Sequence, residues 1–257
     1  MTKQTGRIWG VVVIAAGLAT SLSNDVWAAT AELPGEPPQA SPLQQGTVTP
    51  VAAAPLTWSE LETIGYDGAA SAVNEWRKAS SLSGATVKGP AVTIPAGALQ
   101  SSVDITKEMD AYFTAKKVKP EIARAFSGAF GAAWNAWAKG YSTVAPVACA
   151  GIDLIPLTNI TNTPCLGLPP HPMRLGASPG ELMLSGPALA TAMKALDPTP
   201  TSAPHYDLVA TKLGLRFQTW IGVALLQNVR VDASRAKTIG PFVGKAYGTN
   251  VLGGPSF

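Results

Sequence analysis

The sequence predicts a mainly α-helical domain of four or five helices, with a minor extended element and long proline-rich loops. Three observations carry that expectation. From Pro120 to about Tyr141, the residues Ile122, Phe126, Phe130, Trp134, Trp137 and Tyr141 recur at spacings of three or four, the period of one helix face. From about Tyr206 to Gln227, Leu213, Phe217, Trp220 and Ala224 line one side while Leu208, Leu215, Val223 and Leu226 spread apolar surface around the rest, the signature of a helix buried on most sides. Ahead of a third apolar run, Thr57 precedes Glu60 by three residues. A threonine hydroxyl and a glutamate at that spacing can satisfy free amides reciprocally at a helix start.

Residues 1–31 read as an export signal. Lys3 and Arg7 open it, an uncharged apolar run extends from Ile8 to Leu22, and Val26-Trp27-Ala28 and Ala29-Thr30-Ala31 both place small residues where a signal peptidase reads them. Cleavage is expected after Ala28 or Ala31. The apolar run, about 15 residues, falls short of the roughly 20 needed to cross a bilayer as a helix, and a retained anchor is the other reading. The mature chain is thus expected in the periplasm, outside the cell or at its surface. Residues 32–55 hold Pro34, Pro37, Pro38, Pro42, Pro50 and Pro55 with no aromatic residue. Such a stretch cannot form a core and reads as an extended linker.

Residues 56–257 form the expected single domain. Its first helix runs from Thr57 to about Ser80, with Leu61, Ile64, Trp76 and either Ala72 or Val73 on one side, and Gly65 and Gly68 leave room for another backbone to pack closely. Residues 85–95 carry β-branched side chains interrupted by Gly89-Pro90, which fits two short strands or an extended arm. Asp104 or a nearby serine precedes Ile105, Met109 and Phe113, four apart, and Pro120 suits the first position of the aromatic helix. Residues 142–204 contain half of the 22 prolines; only Pro187 to Leu196 looks helical there. A long loop region is expected, and the Gly-rich tail from Gly240 to Phe257 is expected to be irregular.

Charge is scarce. Asp, Glu, Lys and Arg make up 14% of the chain, against roughly 25% in an ordinary soluble domain. Since surface charge resists association, part of the exterior is expected to be covered by partner subunits or to lie against a membrane surface; a coat of neutral polar residues is the alternative. A formal net charge of +3 without a basic stripe excludes a nucleic-acid partner. The two cysteines, Cys149 and Cys165, are expected to form one disulfide in an oxidising compartment, worth about 3 kcal/mol by restricting the unfolded chain.

No constellation of residues defines a reaction. His171 lies in Pro169-Pro170-His171-Pro172 and His205 just ahead of a helix, and both read as loop residues. Gly176-Ala177-Ser178-Pro179-Gly180 has the glycine spacing of a nucleophile elbow, but its proline falls where a helix would begin. Glu108, Asp110, Asp153 and Glu181 are scattered acids, and a metal site built from Cys149, Cys165, Asp153 and His171 has no familiar ligand spacing. No catalytic residue, cofactor or metal is assigned. Trp134 and Trp137 read first as core and second as an exposed stripe for interaction with a membrane surface or a carbohydrate. The function expected from these features is that of an exported, non-catalytic structural or adaptor subunit, an oligomer or complex member, whose partners are other protein subunits of an envelope or extracellular assembly. An exported hydrolase of a polymer and a membrane-surface protein are the alternatives.

Overall fold

The computed structural model describes residues 55–147, 167–235 and 242–257. The expected export signal, nearly all of the linker, Asp153 and the Cys149–Cys165 pair lie outside those residues. Of the described residues 53% are helical and 23% are in strands, the strands forming two antiparallel sheets of six and three. The fold is therefore α/β in composition, which corrects the expectation of a mainly helical domain with minor β structure.

Helix α1 (Trp58–Lys78) begins as its sequence dictates. Thr57 Oγ1 accepts from the Glu60 amide at 3.4 Å, and Glu60 Oε2 accepts from the Thr57 amide at 2.8 Å. Strands β1 (Ser80–Lys88) and β2 (Ala91–Ile94) form a hairpin, and β3 (Leu99–Ser101) pairs with the start of β1. Helix α2 (Ile105–Ala115) is capped by Asp104, whose carboxylate accepts from the Thr106 and Lys107 amides at 2.9 and 3.3 Å. Pro120 opens α3 (Pro120–Gly140). Strand β4 (Thr143–Pro146) adds to β2.

Chain 167–204 is less irregular than its prolines suggest. It contains β5 (His171–Pro172), two 3₁₀ segments (Met173–Leu175 and Pro179–Leu184) and α4 (Gly186–Leu196). Helix α5 (Ala203–Val223) starts earlier and stops earlier than expected. Its C-cap Ala224 turns extended, and Leu225–Leu226 becomes β6, paired on one side with β5 and on the other with β9 (Leu252–Gly253). The tail expected to be irregular supplies β8 (Phe242–Thr249), which joins β1 to β7 (Arg230–Arg235). The large sheet thus has the order β4-β2-β1-β8-β7, with β3 beside β1.

One hydrophobic cluster unites the inner face of this sheet with the helices. Its densest part is aromatic. Trp134 has the rings of Trp76, Phe130, Trp137, Phe217, Trp220 and Phe257 at centroid distances from 4.8 to 6.1 Å. Trp134 and Trp137 are 0% and 1% exposed, so both rings lie within the core and not on an exposed stripe. Their helix is enclosed because small residues let neighbours approach it closely: the Pro179–Leu184 segment runs so close to α3 that a Cβ on Gly180 would meet the Ala136 and Trp137 backbone. On α1, Gly65 and Gly68 have the same role, since a Cβ there would stand 3.2 Å from Phe126 and 2.7 Å from Phe113.

Candidate binding surface

An antiparallel sheet can bury one face and leave the other to solvent, and the large sheet does so. Leu82, Ala85, Val87, Val92, Ile94, Ala145, Val231, Ala233 and Ala246 point into the core. Register places the opposite set in a continuous exposed row across five of the six strands, Val144–Thr93–Thr86–Lys245–Asp232. Cross-strand neighbours on one face stand close enough to act as a unit.

The two ends of this face differ. At one end Val144 and Val243 are 62% and 56% exposed, and they stand with Pro146, Ala91 and Lys88. At the other end a groove of about 1160 Å³ opens over the starts of β1 and β7 and the close of β8. Arg230 faces Tyr247 across the β7–β8 ladder, and Ser81 sits between Gln100 and Thr249. The bulge in β1 between Leu82 and Ala85, where Gly84 has φ +76°, gives the groove its rim. Among the described residues Arg230, Asp232 and Lys245 form no ion pair. Gln100 donates its side-chain amide to the Gly97 carbonyl at 3.0 Å and Asn228 to the Asn250 carbonyl at 2.9 Å. Each therefore keeps its side-chain carbonyl oxygen free to accept.

The titratable residues singled out from sequence do not converge on this surface. His171 is buried, its Nε2 3.2 Å from Thr143 Oγ1, and desolvation holds its pKa below the ordinary value. Its place in β5 corrects the loop reading. His205 is in the first turn of α5, stacked on Trp58 at 4.3 Å with its Nδ1 2.9 Å from Glu62 Oε1, so it fastens α5 to α1. Ser178 donates to the Trp137 carbonyl at 2.8 Å and accepts from the Gly180 amide at 3.2 Å. It is a buried packing residue and not a nucleophile on an elbow. Glu108 and Asp110 are exposed on α2, and Glu181 is half-buried in a 3₁₀ segment.

Sequence reasoning missed Asp197, the one buried carboxylate among the described residues. Tyr206 Oη and Thr199 Oγ1 each donate to it at 2.5 Å, and the Thr199 amide does so at 3.2 Å. Burial pushes the Asp197 pKa up, but the hydrogen bonds from Thr199, Tyr206 and Ser202 outweigh burial and leave it below the ordinary value. Burial and the same carboxylate raise the Tyr206 phenol. The Asp197-Pro198-Thr199 turn and the following helix start were the available signal. The group stabilises the entry to α5.

Among the described residues no group of His, Cys, Asp and Glu could hold a metal ion, and no helix is long and apolar enough to cross a membrane. Compared with protein-family models, with curated proteins and with solved structures, the chain matches none of them.

Proposed function

We propose that this protein is a non-catalytic structural or adaptor subunit of an exported cell-envelope or extracellular assembly, and that it docks onto another protein subunit through the apolar end of its open sheet face. The observation that carries the reading is the exposure of two valines, Val144 and Val243, on the open face of the sheet. Interface cores are enriched in apolar side chains and rimmed by polar ones; at this end Val144, Pro146, Ala91 and Val243 supply apolar surface, with Lys88 between Ala91 and Val243. The 14% charge content of the whole chain supports the same reading. Export itself rests on residues 1–31.

The test is chemical cross-linking of the native envelope from Lys88 and Lys245, combined with light scattering of the mature protein. A defined cross-linked neighbour that disappears with Val144→Asp plus Val243→Asp is expected. A mature protein that remains monomeric and yields the same cross-links with and without the double substitution overturns the proposal.

A further inference from the structure

We propose that the groove at the polar end of the open sheet face binds a neutral glycan chain. This deepens the docking reading above and rests on it only in taking the open face as the working surface; the two ends of the face are tested by separate substitutions.

Three features of the groove select this class of ligand. First, Tyr247 is 47% exposed and has no ring partner among the described residues. The negative face of an aromatic ring attracts polarised C–H groups and buries apolar area at little cost in side-chain entropy, which suits the C–H face of a pyranose. Second, hydrogen-bonding groups of both kinds line the same groove: the Arg230 guanidinium donates, and the Asp232 carboxylate and the side-chain carbonyl oxygens of Gln100 and Asn228 accept. Vicinal hydroxyls, each a donor and an acceptor, fit such a mixed set, and planar groups accept or donate in pairs with geometric specificity. Third, both signs of charge stand together here, Asp232 lying between Arg230 two residues away on its own strand and Lys245 across the ladder. An anion would meet Asp232 and a cation would meet Arg230, whereas a neutral ligand uses both. The groove is also open and about 1160 Å³ in volume, larger than the roughly 300–1,000 Å³ of a typical small-molecule pocket. That favours a chain lying across the strands over an enclosed small molecule.

The experiment is calorimetric titration of the mature full-length protein with three neutral hexasaccharides, chitohexaose, cellohexaose and mannohexaose, each to about 5 mM, with a heparin hexasaccharide as the anionic comparison. Saturable binding of at least one neutral probe is expected. Tyr247→Ala should weaken it roughly tenfold and Arg230→Gln several-fold, the scale on which one or two contacts act. Tyr247→Phe should bind within about threefold of the parent, because the ring is kept. Val144→Asp, at the other end of the face, should leave glycan affinity unchanged even if it abolishes protein association. Absence of binding by all three neutral probes overturns the proposal, as does unchanged affinity in Tyr247→Ala. Preferential, salt-sensitive binding of the heparin probe also overturns it and makes the groove an anion site.

Discussion

Replacing Trp134 by alanine tests the architecture at its centre. The side chain is 0% exposed, and six aromatic rings stand within 6.1 Å of its own. Truncating a buried Trp or Phe costs about 3–5 kcal/mol through lost transfer energy and the cavity left behind. Six rings on three helices, one strand-linked tail and their own packing cannot all collapse inward, so the upper end, about 5 kcal/mol, is expected. Against a total stability of roughly 5–15 kcal/mol, this leaves a protein folded only marginally. With a urea slope of about 2 kcal/mol per molar, the unfolding midpoint should fall by about 2.5 M, followed by far-ultraviolet circular dichroism. Trp134→Phe sharpens the test. The indole Nε1 is buried without a hydrogen-bond partner, and removing a buried unsatisfied donor recovers part of a penalty of about 1–3 kcal/mol. That variant should therefore lose no more than about 2 kcal/mol despite its smaller ring. A Trp134→Ala midpoint within about 0.5 M of the parent, with the m-value unchanged, would refute the enclosed aromatic core.

Four other substitutions probe separate parts of the fold. Gly180→Ala should cost about 3 kcal/mol or more in urea denaturation, because the new methyl meets α3 backbone and backbone cannot rotate away; Gly222→Ala, with nothing within 4 Å of its Cβ, should be neutral or stabilise by up to about 1 kcal/mol. Asp197→Asn should destabilise by about 2–3 kcal/mol at neutral pH, the worth of hydrogen bonds to a buried charged acceptor. Its pH dependence has a definite sign: the folded-state pKa lies below the ordinary 3.8, so the carboxylate's contribution is complete above that value and is lost as pH falls through the folded pKa. Acid unfolding should accordingly show the parent's advantage over Asp197→Asn narrowing below pH 3.8, and an advantage constant down to pH 2 would contradict the assignment. Thr57→Ala should cost about 1 kcal/mol by removing the hydroxyl that caps α1, read as a drop in thermal midpoint.

The helices were legible because their signals are local. Thr57 with Glu60, Asp104 ahead of Ile105, and Pro120 ahead of the aromatic stripe each satisfy or replace amides within a few residues, and all three helix starts stand where those residues place them. The β structure was legible only where a hairpin closes locally, at β1 and β2. Strand β8 escaped because its alternation is inverted: Val243, Lys245 and Tyr247 face outward while Gly244, Ala246 and Gly248 face inward. Its inner side is small because neighbours press on it, Gly244 lying against Asp232 and Ala233 of β7, and glycine hides a period of two. The apolar run past Val223 extended the helix reading because hydrophobicity does not distinguish the end of α5 from β6, which pairs with chain on both sides. The candidate surface was invisible for the same reason. Thr86 meets Thr93 nearby but Lys245 far along the chain, and the groove exists only once that distant register is set. For Trp134 and Trp137 the spacing revealed a stripe but not what covers it, and Trp76, Phe217, Trp220 and Phe257 come from other elements.

The edges of the sheet bear on how a partner reaches it. Unpaired edge strands invite another chain to add a strand, and proteins resist this with charge, proline or a covering segment. Among the described residues the outermost strands are β4 and β7, and both carry such devices. Pro146 in β4 has no amide to donate, which suits it to an edge. Strand β7 presents Arg230 and Asp232, and just before its start the Val229 carbonyl is already taken by the Leu168 amide at 2.9 Å. Lengthening the sheet by strand addition is therefore disfavoured at β4 and at β7. The exposed valines and the uncommitted polar groups lie instead on the broad face, so a partner that uses this sheet is expected to lie across the strands, contacting side chains from several of them at once. A partner found paired with β4 through its main chain would contradict that expectation directly.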